Sequence, residues 1–171
     1  MAETLLAWFT RYSFDPKDVE VRLKGHPVLL YEPPEVAESK NEDDDDYQFR
    51  TQSGLELTSI GGGEPLAAVI EKTKDNAFQR RVTIGRTNNN DIVLDDTSVS
   101  RFHAWLEQEE ASGNWLLYDA GSRNGTMAGG KRLPAKSAVA LSVGVKVKIG
   151  SVELTFYSAE GFLKLLKQRA T

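Results

Sequence analysis

Arg86, Ser100, Arg101, Arg123 and Asn124 are the side chains of this sequence best suited to holding an anion. They fall in three short polar stretches, GRTNNND (85–91), TSVSRFH (97–103) and GSRNGT (121–126), each lying between segments patterned like strands. Loops displayed by a rigid sheet are where binding groups collect. A guanidinium keeps its charge, and its planar fork matches phosphate or carboxylate through two parallel hydrogen bonds. The Ser100 hydroxyl adds a further donor, and the Asn124 amide offers the donor and acceptor that a peptide main chain requires. A phosphorylated side chain, with a charge of about −1.5 to −2 and three acceptor oxygens, fits this set better than a carboxylate does. His103 reads as structural rather than as a metal ligand, because the chain has one other histidine, His26, and no cysteine.

Each piece alone has a plainer reading. Arg86 could pair with Asp91, Asp95 or Asp96, and Gly85 with the asparagines at 88–90 could be ordinary turn chemistry. Asn124-Gly125 is a common hairpin turn, and Ser100 could cap a turn. The ordered set says more. Gly85-Arg86, then Ser100-x-x-His103, then Asn124-Gly125, flanked by VTIGR, DIVLDD and IGSVELTF, resembles the forkhead-associated (FHA) domain over about residues 64–158. That resemblance implies an antiparallel β-sandwich of about eleven strands that binds phosphothreonine peptides through loops at one end. It assigns the phosphate to Arg86 and Ser100, reinforced by Arg101. It places Arg123 along the site and Asn124 on the peptide main chain. Gly85, His103 and Gly125 support the loops, His103 by bracing the one that carries Ser100. Two residues depart from the family pattern or bear on selectivity: Arg123 stands where many members carry a small hydroxyl residue, and Ser98 occupies a position that influences peptide selection.

The elements that must position these loops are legible as a series of short alternating runs. PLAAVIE (65–71), RVTIG (81–85), DIVLD (91–95), HAWLEQ (103–108) and NWLLYD (114–119) read as strands between polar turns. VKVKIGSVELTFY (145–157) reads as a hairpin about Gly150-Ser151. Many strands without intervening helical patterns predict an all-β sandwich. The tail then changes to helical period at Phe162, Leu165 and Leu166, with Ser158 as its cap. Before residue 64, LLAWFTRY (5–12) predicts a short helix, VEVRLKGHPVLLY (19–31) a hairpin, ESKNEDDDDY a solvated linker, and YQFRTQSGLELTSI (47–60) a further strand-like segment. The expected division is an acidic N-terminal extension at 1–63, an FHA domain at 64–158 and a C-terminal helix at 159–171.

Charge is uneven over the 171 residues: 6 basic and 13 acidic residues in 1–63, but 15 and 12 in 64–171. The acidic part contains Thr51 and Thr58, which if phosphorylated could enter the protein's own site. No dense basic stripe predicts nucleic-acid binding, and no apolar run approaches a membrane span. A cytoplasmic protein with neither cofactor nor metal is expected. GTMAGGKR (125–132) has Walker-loop spacing, but Arg132 replaces the Ser/Thr that meets magnesium and Leu133-Pro134 prevents a following helix, so no enzyme is predicted. The acidic run at 43–46 lacks the glycine and glutamate of a calcium loop. The expected function is a phosphothreonine-peptide-binding module of a Ser/Thr kinase pathway, with a phosphate-independent protein-interaction domain as the alternative.

Overall fold

The structure, a computed structural model, describes residues 2–34 and 64–170. Among the described residues, twelve strands form two sheets. The seven-stranded sheet runs β1 (Ala2–Thr4), β3 (Leu66–Val69), β2 (Val28–Tyr31), β12 (Val152–Tyr157), β11 (Lys146–Ile149), β8 (Thr126–Ala128) and β9 (Lys131–Arg132). The five-stranded sheet runs β10 (Ala138–Ala140), β7 (Trp115–Asp119), β6 (Ala104–Gln108), β4 (Val82–Gly85) and β5 (Ile92–Val93). All pairs are antiparallel except β4 with β5. Three helices complete the fold: α1 (Leu5–Phe14), α2 (Pro16–Leu23) and α3 (Ala159–Ala170).

Two apolar clusters explain the burial pattern. Leu29, Tyr31, Leu66 and Ala68 join Ile84, Leu106, Leu117, Ile149 and Leu154 between the sheets. Val28, Leu30, Ala67 and Val69, alternating with the first set, instead meet Leu5, Trp8, Val19, Leu23, Phe162 and Leu166 from the helices. Strands β2 and β3 are therefore covered on both faces, which is why VLLY and LAAV read as continuous apolar runs. Trp8 meets Phe162 edge to face at 5.7 Å, joining α1 to α3.

The hairpin expected over 19–31 forms only in its second arm. Residues 19–23 belong to α2, because Asp15 caps the helix by accepting from the Lys17 N–H at 3.0 Å and Pro16 occupies its first turn. Val19 and Leu23 are one helical turn apart and buried, whereas Val21 is 70% exposed, so the chain resolves an ambiguous spacing in favour of 3.6 residues. Lys24 ends the helix in left-handed conformation, and β2 follows. Sitting between β3 and β12, β2 makes the N-terminal segment part of the sandwich.

Elsewhere the expected strands form, and Ile149 pairs with Val152 across the Gly150-Ser151 turn. The pattern did not reveal β8, β9 and β10, each of two or three residues and β9 and β10 mostly exposed. The helix at the end forms as read: Ser158 Oγ accepts from the Gly161 N–H at 3.0 Å, Phe162 and Leu166 are fully buried, and Leu165 is half-buried. The expected strand-like segment at 47–60, the linker before it, and Thr51 and Thr58 lie outside the described residues. No helix among the described residues is long and apolar enough to cross a membrane.

Candidate functional site

The three polar stretches meet at one rim of the sandwich. Strand β4 ends at Gly85, and the next residue donates its main-chain N–H to the Ser100 carbonyl at 3.0 Å. Arg86 Nε donates to the Val99 carbonyl at 3.1 Å, so its exposed side chain is anchored beside Ser100. The third stretch arrives through Arg123, whose main-chain N–H donates to Ser100 Oγ at 3.0 Å. That bond occupies a lone pair of Ser100, and among the described residues no acceptor takes the hydroxyl proton. Ser100 therefore presents an O–H donor in a fixed position. Asn124 Nδ2 donates to the Ser98 carbonyl at 2.7 Å, and the exposed amide keeps its oxygen and second N–H outside that bond.

His103 holds this junction from beneath. It is fully buried, accepts from the Ser100 N–H on Nδ1 at 3.0 Å, and lies 2.9 Å from the Gly125 carbonyl through Nε2. The two partners fix the neutral ring with its proton on Nε2. One imidazole thus ties the loop of Ser100 to the loop of Asn124. Burial drives its pKa below the ordinary histidine value, against the opposing effects of the Gly125 carbonyl and Asp119.

A pH dependence follows with a defined sign. The unfolded chain binds a proton on this histidine below about pH 6.5 while the folded protein resists it, so stability is complete above that pH and falls as pH decreases. The expected loss is up to about 1.4 kcal/mol per pH unit in that window. Urea unfolding at pH 5, 6 and 7.5 measures it. His103→Gln loses the dependence.

Further residues position the loops. The Arg101 carbonyl accepts from Asn90 Nδ2 at 2.7 Å and Thr87 Oγ1 at 2.9 Å, clamping the first stretch to the second. Gly85 permits this contact, since a Cβ there would lie 2.2 Å from the Arg101 oxygen. Phe102 stacks between Phe78 and Trp105, with centroids at 5.2 and 6.0 Å, and seats the same loop on the five-stranded sheet. Asp119, at the end of β7, accepts from the Gly121 and Ser122 N–H groups and from the Ser122 and Thr126 hydroxyls. Burial alone would raise its pKa, but these hydrogen bonds prevail and hold it below the usual carboxylate range. Asp96 accepts from the Ser98 N–H and hydroxyl, and Ser98 Oγ accepts from the Ser151 N–H, linking the loop to the β11–β12 turn.

Asn90, Asp119 and Asp96 did not stand out in the sequence as site residues. Their signal was the spacing of short polar side chains that bond main-chain groups two or three positions away, a pattern shared with ordinary turns. Asp91 is different. It pins β4 to the preceding loop through Thr83, Thr73, Lys74 and Lys72, and so is not available to Arg86.

The cations of the rim are distinguished by what they lack. Arg11, Arg22, Arg80, Arg81 and Arg169 each pair with a carboxylate. Among the described residues, no such pair involves Arg86, Arg101 or Arg123, and all three are exposed. The structure therefore brings all five expected ligand-facing residues to one rim, with Gly85, His103 and Gly125 between them. The stretch with Walker spacing instead forms the β8–β9 hairpin, with Met127 opposite Arg132 and no helix.

Comparison with known proteins gives matches at the level of the sequence and of solved structures. The FHA domain family model matches residues 82–150. The chain is similar to the oxoglutarate dehydrogenase inhibitor of Corynebacterium diphtheriae, 38% identical over 112 residues that span 62% of this chain and 73% of that protein. It is also similar to the glycogen accumulation regulator GarA of Mycolicibacterium smegmatis, 42% identical over 110 residues, 61% of this chain and 64% of that protein. The solved structure of Mycobacterium tuberculosis EmbR in complex with a low-affinity phosphopeptide aligns with a TM-score of 0.49 and 22% identity, covering 85% of this chain and 30% of that one. On the strength of the family match and of relatives aligned over most of their length, this chain belongs to the forkhead-associated domain family.

Proposed function

We propose that this protein is a non-catalytic module that binds phosphothreonine-containing partners in a Ser/Thr kinase pathway of the cytoplasm. Arg86 and Ser100 take the phosphate, Arg101 and Arg123 add charge around it, and Asn124 takes the peptide main chain. The observation that carries this reading is the rim itself. Three chain segments are joined by hydrogen bonds so that a hydroxyl donor and several exposed guanidiniums, without carboxylate partners among the described residues, lie together. Phosphate chemistry suits such a set, because a dianion can accept several charge-assisted hydrogen bonds at once. Pre-ordering by His103 reduces the entropy that binding must otherwise remove.

The test is a titration of the full chain with a phosphothreonine peptide library and its unphosphorylated twin. Binding confined to the phosphorylated set is expected. Equal binding of both sets overturns the reading in favour of a phosphate-independent interaction domain. The same titration run on protein phosphorylated at Thr51 or Thr58 examines self-association of the site. That option is favoured by Tyr31, Glu32 and Pro34, which line one cavity with Asp96 and Ser151. If the protein occupies its own site, added peptide binds more weakly after phosphorylation.

A further inference from the structure

The rim holds another guanidinium that the motif does not include. Gly129 and Gly130, with φ of +57° and +79°, close the β8–β9 hairpin and set Lys131 opposite Ala128 and Arg132 opposite Met127. This turn needs left-handed conformation at both central positions, which two glycines adopt without strain. From β9, Arg132 reaches back to Gly125. A Cβ on Gly125 would lie 2.7 Å from both Cζ and Nη2 of Arg132 and 2.9 Å from its Nε. The guanidinium is thus placed against the main chain of the residue that follows Asn124. Gly125 itself is fixed, since its N–H donates to Ser122 Oγ and its carbonyl meets His103 and the Gly150 N–H.

Arg132 is exposed, and among the described residues no carboxylate pairs with it. It shares that condition with Arg86, Arg101 and Arg123, whereas the described arginines away from the rim are paired. An exposed guanidinium resting on a rigid glycine, without an internal counter-ion, is pre-placed for an external one.

We propose that Arg132 determines specificity by binding an anionic group of the peptide, a carboxylate or a second phosphate, near the phosphothreonine. The inference rests on the function proposed above and deepens it. Its spacing follows from the chain. Arg123 is bonded to Ser100, Gly125 is two residues further, and two trans peptides span at most about 7.6 Å. An extended ligand advances about 3.3 Å per residue, so the anion falls roughly two or three residues from the phosphothreonine.

The experiment uses the full chain and fluorescent phosphothreonine peptides, measured by anisotropy. Glu, Ala, Lys or phosphoserine is placed singly at each of the four positions on either side of the phosphothreonine. The expected result is a preference of about 3- to 10-fold for Glu over Ala at one position. Arg132→Ala removes that preference, Arg132→Glu turns it toward Lys, and Arg132→Lys keeps part of it. The phosphoserine series tells a second phosphate from a carboxylate. No charge preference at any position, or a preference that survives Arg132→Glu, overturns the role of Arg132 and leaves the phosphothreonine reading standing, provided binding still needs Arg86. Absence of phosphate-dependent binding overturns both.

Discussion

Arg86→Ala weakens binding of a phosphothreonine peptide by at least about 100-fold, equivalent to roughly 3 kcal/mol. The size of the effect comes from the partner it strands. Removing the guanidinium leaves a phosphate dianion at the rim without its anchored cation, and such losses exceed the net worth of the contact. The fold itself is little affected. Arg86 is exposed, and the side-chain bond lost is the one from Nε to the Val99 carbonyl. Its contribution is about 1 kcal/mol, so unfolding in urea shifts little while binding collapses. Arg86→Lys retains the charge but loses the planar fork, and its affinity falls between the two. Unchanged affinity in Arg86→Ala would remove this residue from the site.

Gly85→Ala has the largest expected effect on the site's architecture. The added methyl would sit 2.2 Å from the Arg101 carbonyl oxygen, 2.9 Å from its carbon and 2.7 Å from Asn90 Nδ2. Two of those three atoms are main chain and cannot rotate away, so β4 and the loop bearing Ser100 must separate. The clamp from Thr87 and Asn90 to the Arg101 carbonyl then breaks, and with it the approach of Arg86 to Ser100. Overpacking with lost hydrogen bonds costs about 2–4 kcal/mol. Urea unfolding reads that loss, and peptide titration reads a parallel loss of binding. Gly113→Ala supplies the contrast. That glycine has φ of +74° with nothing within 4 Å of a Cβ, so alanine there costs about 1 kcal/mol in backbone strain and leaves binding intact. If Gly85→Ala behaves like Gly113→Ala, the close approach of the two loops does not govern the site.

These two variants separate the chemistry of the rim from its construction. Arg86 supplies charge and is dispensable to folding. Gly85 supplies none and sets where the charge can stand. His103 belongs to the second group: it is buried, touches both loops, and transmits pH to the site by losing an acceptor when protonated. Asp119 likewise holds the loop of Asn124 in place through four accepted hydrogen bonds, although its carboxylate lies beneath the rim rather than on it.

What the sequence determined by itself was local chemistry and period. The alternation of VKVKIGSVELTFY dictated a hairpin, and the spacing of Phe162 and Leu166 a helix, because strand and helix place side chains on one face at different intervals. The types of Arg86, Ser100 and Asn124 were those expected for holding an anion and a peptide backbone. Only the tertiary structure decided matters that depend on contacts between distant residues. Val19 and Leu23 satisfy either period, and the cap at Asp15 with the helical cluster around Phe162 settled them as helix. Residues 28–31 read as part of an extension but became an inner strand, since pairing partners lie far along the chain at 66–69 and 154–157. Arg132, on a two-residue strand in a segment that resembled a nucleotide loop, reached the rim through a glycine seven residues earlier. Charge and period are written in neighbouring residues, whereas the absence of a counter-ion and the closeness of two loops exist only after folding has chosen every neighbour.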